Sequence, residues 1–225
     1  MILRMLWWRI RYAVWYLAWR IEFGVAQWRT LYGVNVGVAP MRDDQIKARA
    51  FEKVAAALDL IAEYEPRRLR RIARDIQGVW VRRAAYAPAY YIEALRLCVI
   101  DRKFVTAEDT APAMIAVALV HEATHARLFR NKIPYTEAIR PRIEAVCDEQ
   151  SAAFARRLPD GESLARRILE GRPADPSHWS NDNLDRRLVE ARYDEVEAVR
   201  QELEDSDLPP WLKRLLGRVI PSRAA

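Results

Sequence analysis

The chain has few glycines and few cysteines, 7 and 2 respectively among its 225 residues. Cys98 and Cys147 lack the spacing of a disulfide framework, so a reducing compartment is the simpler expectation. Scarce glycine beside abundant alanine, arginine, leucine and glutamate predicts a mostly helical chain. With 51% hydrophobic and 30% charged residues and no internal repeat or low-complexity tract, the composition is typical of one globular domain with appendages.

A long apolar run is also missing, even from residues 1–28, which hold five of the eight tryptophans and four arginines. The longest uncharged run there, residues 12–19, is too short to span a bilayer, and the segment is a poor signal peptide. Tryptophan and arginine together favour a membrane interface, so residues 1–30 are predicted to form a helix on an anionic membrane surface. The alternative is a helix packed on protein, because the apolar residues form no single clean face.

Two of the three histidines, His121 and His125, lie four residues apart with Glu122 directly after the first. Helix positions i and i+4 share one face, so both imidazoles can bind one metal ion. Glu122 lies beside that face, where it can take a proton from a water activated by zinc. This H-E-x-x-H motif therefore predicts metal-assisted hydrolysis.

The helix beneath the motif is well supported by its neighbours. Residues 113–119 are an almost unbroken apolar run, Pro112 suits a first helical turn, and the helix is expected to end near residues 131–134. Its start is expected to be capped by one of three polar residues: Thr106, Asp109 or Thr110.

Glu144 is the candidate for the third ligand that a catalytic zinc site needs. It follows His125 at a distance that allows the first helix to end and a second helix to return. Asp148 lies one helical turn later, where it can orient a ligating histidine. Cys147 stands between them and, as a thiolate, could compete for ligation.

With Glu144 and Asp148 spaced as E-x-x-x-D after the histidine motif, residues 94–158 resemble the gluzincin metallopeptidases, the zincin group typified by thermolysin. The resemblance implies an α+β, predominantly helical fold, with a small sheet packed on the histidine helix and a following helix that carries a ligand. It also implies Glu122 as the catalytic base and acid, and Asp148 as the partner of a histidine. The implied ligands of one zinc ion per chain are His121, His125 and Glu144.

A zincin needs a strand along its cleft, where an extended peptide can pair its backbone. Residues 94–100 alternate with the period of a strand, and the resemblance makes them the edge strand, with residues 77–82 as a neighbour. Residues 86–91 are predicted to be a loop between these strands. The oxyanion could be stabilised by any one of four side chains: Tyr90, Tyr91, Tyr135 or His178.

The chain divides into three predicted regions. Residues 1–40 hold the amino-terminal helix and a turn-rich linker at 31–40, and residues 41–170 form the zincin-like metallopeptidase domain. Residues 171–225 are an accessory helical region that could cap the cleft or mediate self-association. The net charge is +6, but no nucleic-acid motif accompanies the arginines, so nucleic acid is disfavoured as a partner.

The sequence thus predicts a zinc-dependent metallopeptidase, a hydrolase that acts on a peptide or protein substrate. We expect a cytoplasmic location, peripheral on the inner membrane face where the first helix binds lipid. Two alternatives stay open: a catalytically inactive zinc-binding module and a membrane-associated helical interaction protein. The substrate and the choice between endopeptidase and exopeptidase lie beyond the sequence.

Overall fold

In a computed structural model, the described residues are 23–41, 43–84, 87–204, 210–211 and 213–214. Residues 1–22 lie outside this range, and with them lies most of the predicted amino-terminal helix and its membrane contact. The end of that prediction is wrong, because residues 27–30 lie in a β-strand. None of the described helices combines the length and the apolar composition that crossing a membrane requires.

A mixed sheet of five strands forms one layer of the described fold. Its strands are β1 (Gln27–Leu31), β2 (Val34–Val38), β3 (Gly78–Arg82), β4 (Ala89–Ile92) and β5 (Leu97–Asp101). The spatial order is β1-β2-β3-β5-β4. The three central strands run parallel, and the two outer strands pair antiparallel with their neighbours.

Helices pack on this sheet and against one another, so the protein is α+β and predominantly helical, as predicted. The helices are α1 (Asp44–Tyr64), α2 (Pro66–Asp75), α3 (Arg102–Thr106), α4 (Pro112–Arg130), α5 (Arg140–Ala155), α6 (Glu162–Glu170) and α7 (Asn181–Glu204). Short 3₁₀ turns occupy Glu93–Leu95 and Pro176–Trp179. Helix α4 is central, because it contacts α1, α2, α5 and the edge strand β4.

Helix α4 confirms the predicted buried helix beneath the histidine motif. It begins with Pro112 in its first turn and ends at Arg130, and its buried residues lie on most of its circumference. The predicted cap is wrong, because Ala111 holds the capping position without a side-chain hydrogen bond. Of the polar candidates, Thr106 ends helix α3, and its hydroxyl donates to the carbonyl of Arg102.

Residues 31–40 are not a linker, and this prediction is corrected. They complete the β1–β2 hairpin, whose turn places Tyr32 and Gly33 at φ 53° and 76°. Positive φ at both central residues suits a tight hairpin turn. Three alternating valines of β2 are fully buried in the core: Val34, Val36 and Val38.

The predicted edge strand is also corrected. Residues 77–82 do form the neighbouring strand β3, but residues 94–96 fall in a turn, and β5 lies between β3 and β4. All five residues of β5 are buried, which suits an interior strand. The edge strand beside helix α4 is β4. The sequence predicted a loop over most of β4, and its four residues are only half-buried.

Candidate metal centre

Helices α4 and α5 bring His121, His125 and Glu144 together. The Nε2 atoms of the two histidines lie 3.2 Å apart. The carboxylate of Glu144 lies across from them, with Oε2 3.3 Å from Nε2 of His121 and Oε1 3.5 Å from Nε2 of His125. The three side chains that the sequence singled out as candidate ligands therefore converge on one point.

These separations can be compared with those around a zinc ion. Zinc binds histidine nitrogen and carboxylate oxygen at about 2.0 to 2.2 Å in a tetrahedron, whose ligand atoms are then about 3.3 to 3.5 Å apart. The separation of 3.2 Å between the two Nε2 atoms falls just short of this range, and the distances of 3.3 and 3.5 Å to the two oxygens of Glu144 lie within it. Two imidazoles and one carboxylate are also a donor set that zinc accepts in catalytic sites. The residues present thus fit zinc.

Asp148 and Arg172 support the first histidine. Oδ1 of Asp148 lies 3.3 Å from Nδ1 of His121, so Nδ1–H can donate to the carboxylate while Nε2 faces the ligand cluster. Arg172 holds Asp148 in turn, with its Nε 3.1 Å from Oδ2 and its Nη2 donating to the carbonyl of Ala145. Sequence reasoning missed Arg172, which lies in a stretch whose glycine and prolines indicated only a break between helices.

Cys147 is a rival for the third ligand position. A ring nitrogen of each histidine and its Sγ all lie within 4.8 Å of one another. Burial, and then the charges of Glu144, Glu122 and Asp148, raise the pKa of the thiol well above its usual range, which disfavours the thiolate that a metal needs. Glu144 has an oxygen within 3.5 Å of each Nε2 atom, Oε2 beside His121 and Oε1 beside His125, and we therefore favour it.

Protonation of His121 and Glu144 is coupled in the metal-free site. Burial opposes the charged form of His121, but hydrogen bonds to Asp148 and Glu144 outweigh it and raise its pKa to about 10. Burial also opposes charge on Glu144, yet hydrogen bonds from His121 and His125 hold its pKa well below its usual range. Both pKa directions favour an ionic pair, and a metal that binds here would displace the histidine proton.

Glu122 lies beside the cluster and is buried, with 6% of its surface exposed. Burial raises the pKa of this carboxyl, while the nearby charges of His121 and His125 lower it, as does a hydrogen bond from the backbone of Tyr91. That last contact ties Glu122 to the edge strand β4. A buried carboxylate with a raised pKa is the setting expected of a general base.

A cleft of about 530 Å³ opens over this cluster. It is lined by His121, Glu122, His125 and Glu144, by residues of β4, and by a largely apolar wall. The wall is contributed by two parts of the chain: Leu128, Phe129, Ile133 and Ile143 around helices α4 and α5, and Leu184, Leu188 and Ala191 on helix α7. The volume of the cleft lies in the range usual for ligand-binding pockets.

The four oxyanion candidates are placed differently. Tyr90, Tyr91 and Tyr135 line the cleft, and the hydroxyl of Tyr135 donates to Oε1 of Glu144 at 2.5 Å. The ring of Tyr135 also stands edge-on to His125. His178 is not among the described residues that line the cleft, and its Nε2 accepts a hydrogen bond from Arg187 at 2.9 Å.

Helix α7 is a wall of the cleft, a role that the sequence left open for residues 171–225. It contributes Leu184, Leu188 and Ala191 together with the cation Arg187. Arg140 at the start of α5 anchors this region, because its guanidinium donates to the carbonyl of Trp179 and to Oδ1 of Asn181. The sequence predicted an accessory helical region here, but it did not reveal which part of the chain the helix packs on.

The fold and the site thus define an α+β protein with a two-histidine, one-carboxylate cluster at the edge of a mixed sheet. Comparison with known proteins found no family model, no curated protein and no solved structure that matches the chain. The geometry of the site and the motifs of this chain are therefore what indicate its function.

Proposed function

We propose that the protein is a zinc-dependent metallopeptidase with a gluzincin-type site. One observation carries the proposal: the Nε2 atoms of His121 and His125 lie 3.2 Å apart, and each lies 3.3 to 3.5 Å from an oxygen of Glu144, close to the ligand separations around zinc. The buried Glu122 beside them supplies the base that hydrolysis needs. One zinc ion per chain is expected.

Bound zinc would supply a Lewis acid that polarises a peptide carbonyl and lowers the pKa of a water molecule. Glu122 accepts the proton of the attacking water and later delivers it to the leaving amine. Asp148 keeps the ring of His121 oriented through Nδ1. Tyr135, whose hydroxyl already lies at the ligand cluster, is the favoured donor to the developing oxyanion.

The edge strand supports a peptide as the substrate. Among the described strands, β4 pairs only with β5, so its outer edge can accept the backbone of an extended peptide. Tyr90 and Tyr91 of β4 line the cleft, and Tyr91 contacts Glu122 through its backbone. A peptide paired with β4 would thus bring its backbone beside the base.

Hydrolysis of a peptide library by zinc-supplemented protein tests the proposal. Glu122→Gln should lower kcat on the order of 10²- to 10⁴-fold, because glutamine cannot accept the proton. Its zinc content should equal that of the wild type. The matched control is Glu108→Gln, which changes an exposed carboxylate near the start of α4 and should keep the wild-type rate.

Equal rates in the wild type and in Glu122→Gln would refute the catalytic role of this residue. Bound zinc without turnover in any variant would instead identify the inactive zinc-binding module. A chain that binds no zinc at all would favour the membrane-associated interaction protein.

A cytoplasmic location with residues 1–30 on an anionic membrane surface is also a proposal. Its support is composition, since residues 1–22 lie outside the described part of the chain. Full-length protein should co-sediment with vesicles that contain phosphatidylserine and remain in solution with vesicles of neutral lipid alone. Equal behaviour with both kinds of vesicle would contradict the electrostatic contact.

A further inference from the structure

Arg187 places a positive charge in the proposed substrate cleft. It projects from helix α7 and lines the same cleft as Glu122 and the candidate ligands. Among the described lining residues it is the only arginine or lysine. The carboxylates that share the lining are Glu93, Glu122 and Glu144, of which the last two belong to the metal cluster.

The guanidinium of Arg187 is held in one orientation. Its Nη1 donates to Nε2 of His178 at 2.9 Å, and its Nη2 donates to the carbonyl of the same residue at 3.1 Å. The ring of Trp179 lies beneath it, 5.9 Å away. A side chain fixed in this way loses little further entropy when it binds a ligand.

Its charge has no counterpart in the described protein. His178 accepts this hydrogen bond at Nε2, which requires a neutral imidazole, and burial and the nearby guanidinium lower its pKa. None of the ion pairs that described carboxylates form includes Arg187. A guanidinium has five N–H donors, and the two bonds to His178 leave others for a ligand.

We propose that Arg187 binds a carboxylate of the peptide substrate. A planar guanidinium pairs best with a planar anion, and a partly buried cation in an apolar wall gains most from an opposite charge. The inference rests on the proposed function, which brings peptides into this cleft, and it narrows the substrate class to peptides with a carboxylate within reach of α7. That carboxylate is either the carboxyl terminus or the side chain of aspartate or glutamate.

Peptide binding to the zinc-loaded Glu122→Gln protein, measured by calorimetry, tests the inference without turnover. The probes are short N-acetylated peptides of alanine, leucine and phenylalanine. One set ends in a free carboxylate, a second ends in an amide, and a third carries the amide and one glutamate that is moved along the chain. Comparison of the sets separates the carboxyl terminus from an acidic side chain.

A carboxylate-bearing set should bind on the order of 10- to 100-fold more tightly than the neutral amide set, as expected for charged hydrogen bonds. Adding Arg187→Gln should remove this preference, and adding Arg187→Lys should retain part of it. Arg186→Gln changes an exposed neighbour on the same helix and should leave the preference intact. Zinc content and circular dichroism identify any variant that fails to fold. If Arg187→Gln fails, the carboxylate preference of Arg187→Lys tests the inference, and it should be weaker than that of the parent protein.

Equal affinity for the three sets, or a preference that survives Arg187→Gln, would overturn the inference. Failure of the peptidase proposal gives a different result. Carboxylate-selective binding with no turnover by the protein that retains Glu122 would leave Arg187 as a carboxylate site and refute the enzyme. Turnover that depends on Glu122 and is equal for acid and amide peptides would support the enzyme and refute the carboxylate site at Arg187.

Discussion

Glu122 and Glu144 are both buried at the same cluster, yet their surroundings move their pKa values in opposite directions. Glu144 accepts hydrogen bonds from two imidazoles and from Tyr135, and these outweigh the cost of burial. Burial is the largest influence on Glu122, and its pKa is raised. A carboxylate that stays ionised suits a metal ligand, and one with a raised pKa suits proton transfer.

The raised pKa of His121 predicts how the metal-free protein responds to pH. Between the ordinary pKa of 6.5 and about 10, the folded state holds a proton that the unfolded state has released. The stabilisation is therefore fully present below pH 6.5 and is lost as pH rises toward 10. The free energy of unfolding of chelator-treated protein, measured by urea titration, should fall from pH 6.5 upward.

The urea titrations are best compared below pH 9.0, the ordinary pKa of a thiol. Above that pH the raised pKa of buried Cys147 also lowers the free energy of unfolding as pH rises. Zinc affinity should rise over the same interval, since zinc displaces the proton of His121. A free energy of unfolding that rises with pH in the chelator-treated protein, or a zinc affinity that does not change with pH, would contradict this account of His121 and Glu144.

Asp148 is predicted to act on zinc through His121. Asp148→Asn should lower zinc affinity on the order of 10- to 100-fold, since the amide holds the imidazole less firmly. Arg172→Gln should have a smaller effect of the same sign, because Asp148 remains. Glu170→Gln, which changes an exposed carboxylate at the end of helix α6, should leave the affinity unchanged. A competition assay with a zinc-binding dye would measure all three, and equal affinities would refute the role of Asp148.

At the scale of the elements, the β1–β2 hairpin depends on a close contact at Gly37. A Cβ added there would lie 2.6 Å from the indole of Trp28, which is held by a hydrogen bond to Phe23 and by packing against its ring. Gly37→Ala should therefore lower the free energy of unfolding by about 1 to 3 kcal/mol. Gly24→Ala is the control, since nothing lies within 4 Å of its added Cβ. Equal melting temperatures would contradict the contact.

The parts of the fold that the sequence predicted are local, and the parts that it missed depend on pairing between distant segments. The spacing of His121 and His125 is a property of one helix. Glu144 reaches them because a single loop connects α4 to α5. The burial of β5 is set by its strand neighbours, and alternation of residues does not reveal which strand lies at an edge. Arg172 follows the end of α6 and Arg187 lies on α7, and both were missed because arginine side chains are usually solvated.

At the scale of the whole molecule, three separate parts of the chain build the proposed site. The pair α4 and α5 holds the ligand cluster, β4 presents an edge beside Glu122, and α7 closes the cleft with apolar residues and one cation. Only the first part lies within residues 94–158, the segment whose motifs predicted the metal cluster. The last two would decide which peptides fit.

The central claim is that His121, His125 and Glu144 bind one zinc ion. The most direct test is elemental analysis of zinc in protein purified without a metal-binding tag, for the wild type, Glu144→Ala and Cys147→Ala. We expect about one zinc per chain in the wild type and in Cys147→Ala, and much weaker retention in Glu144→Ala. Absence of zinc from supplemented wild type, or zinc lost with Cys147 and kept without Glu144, would contradict the account.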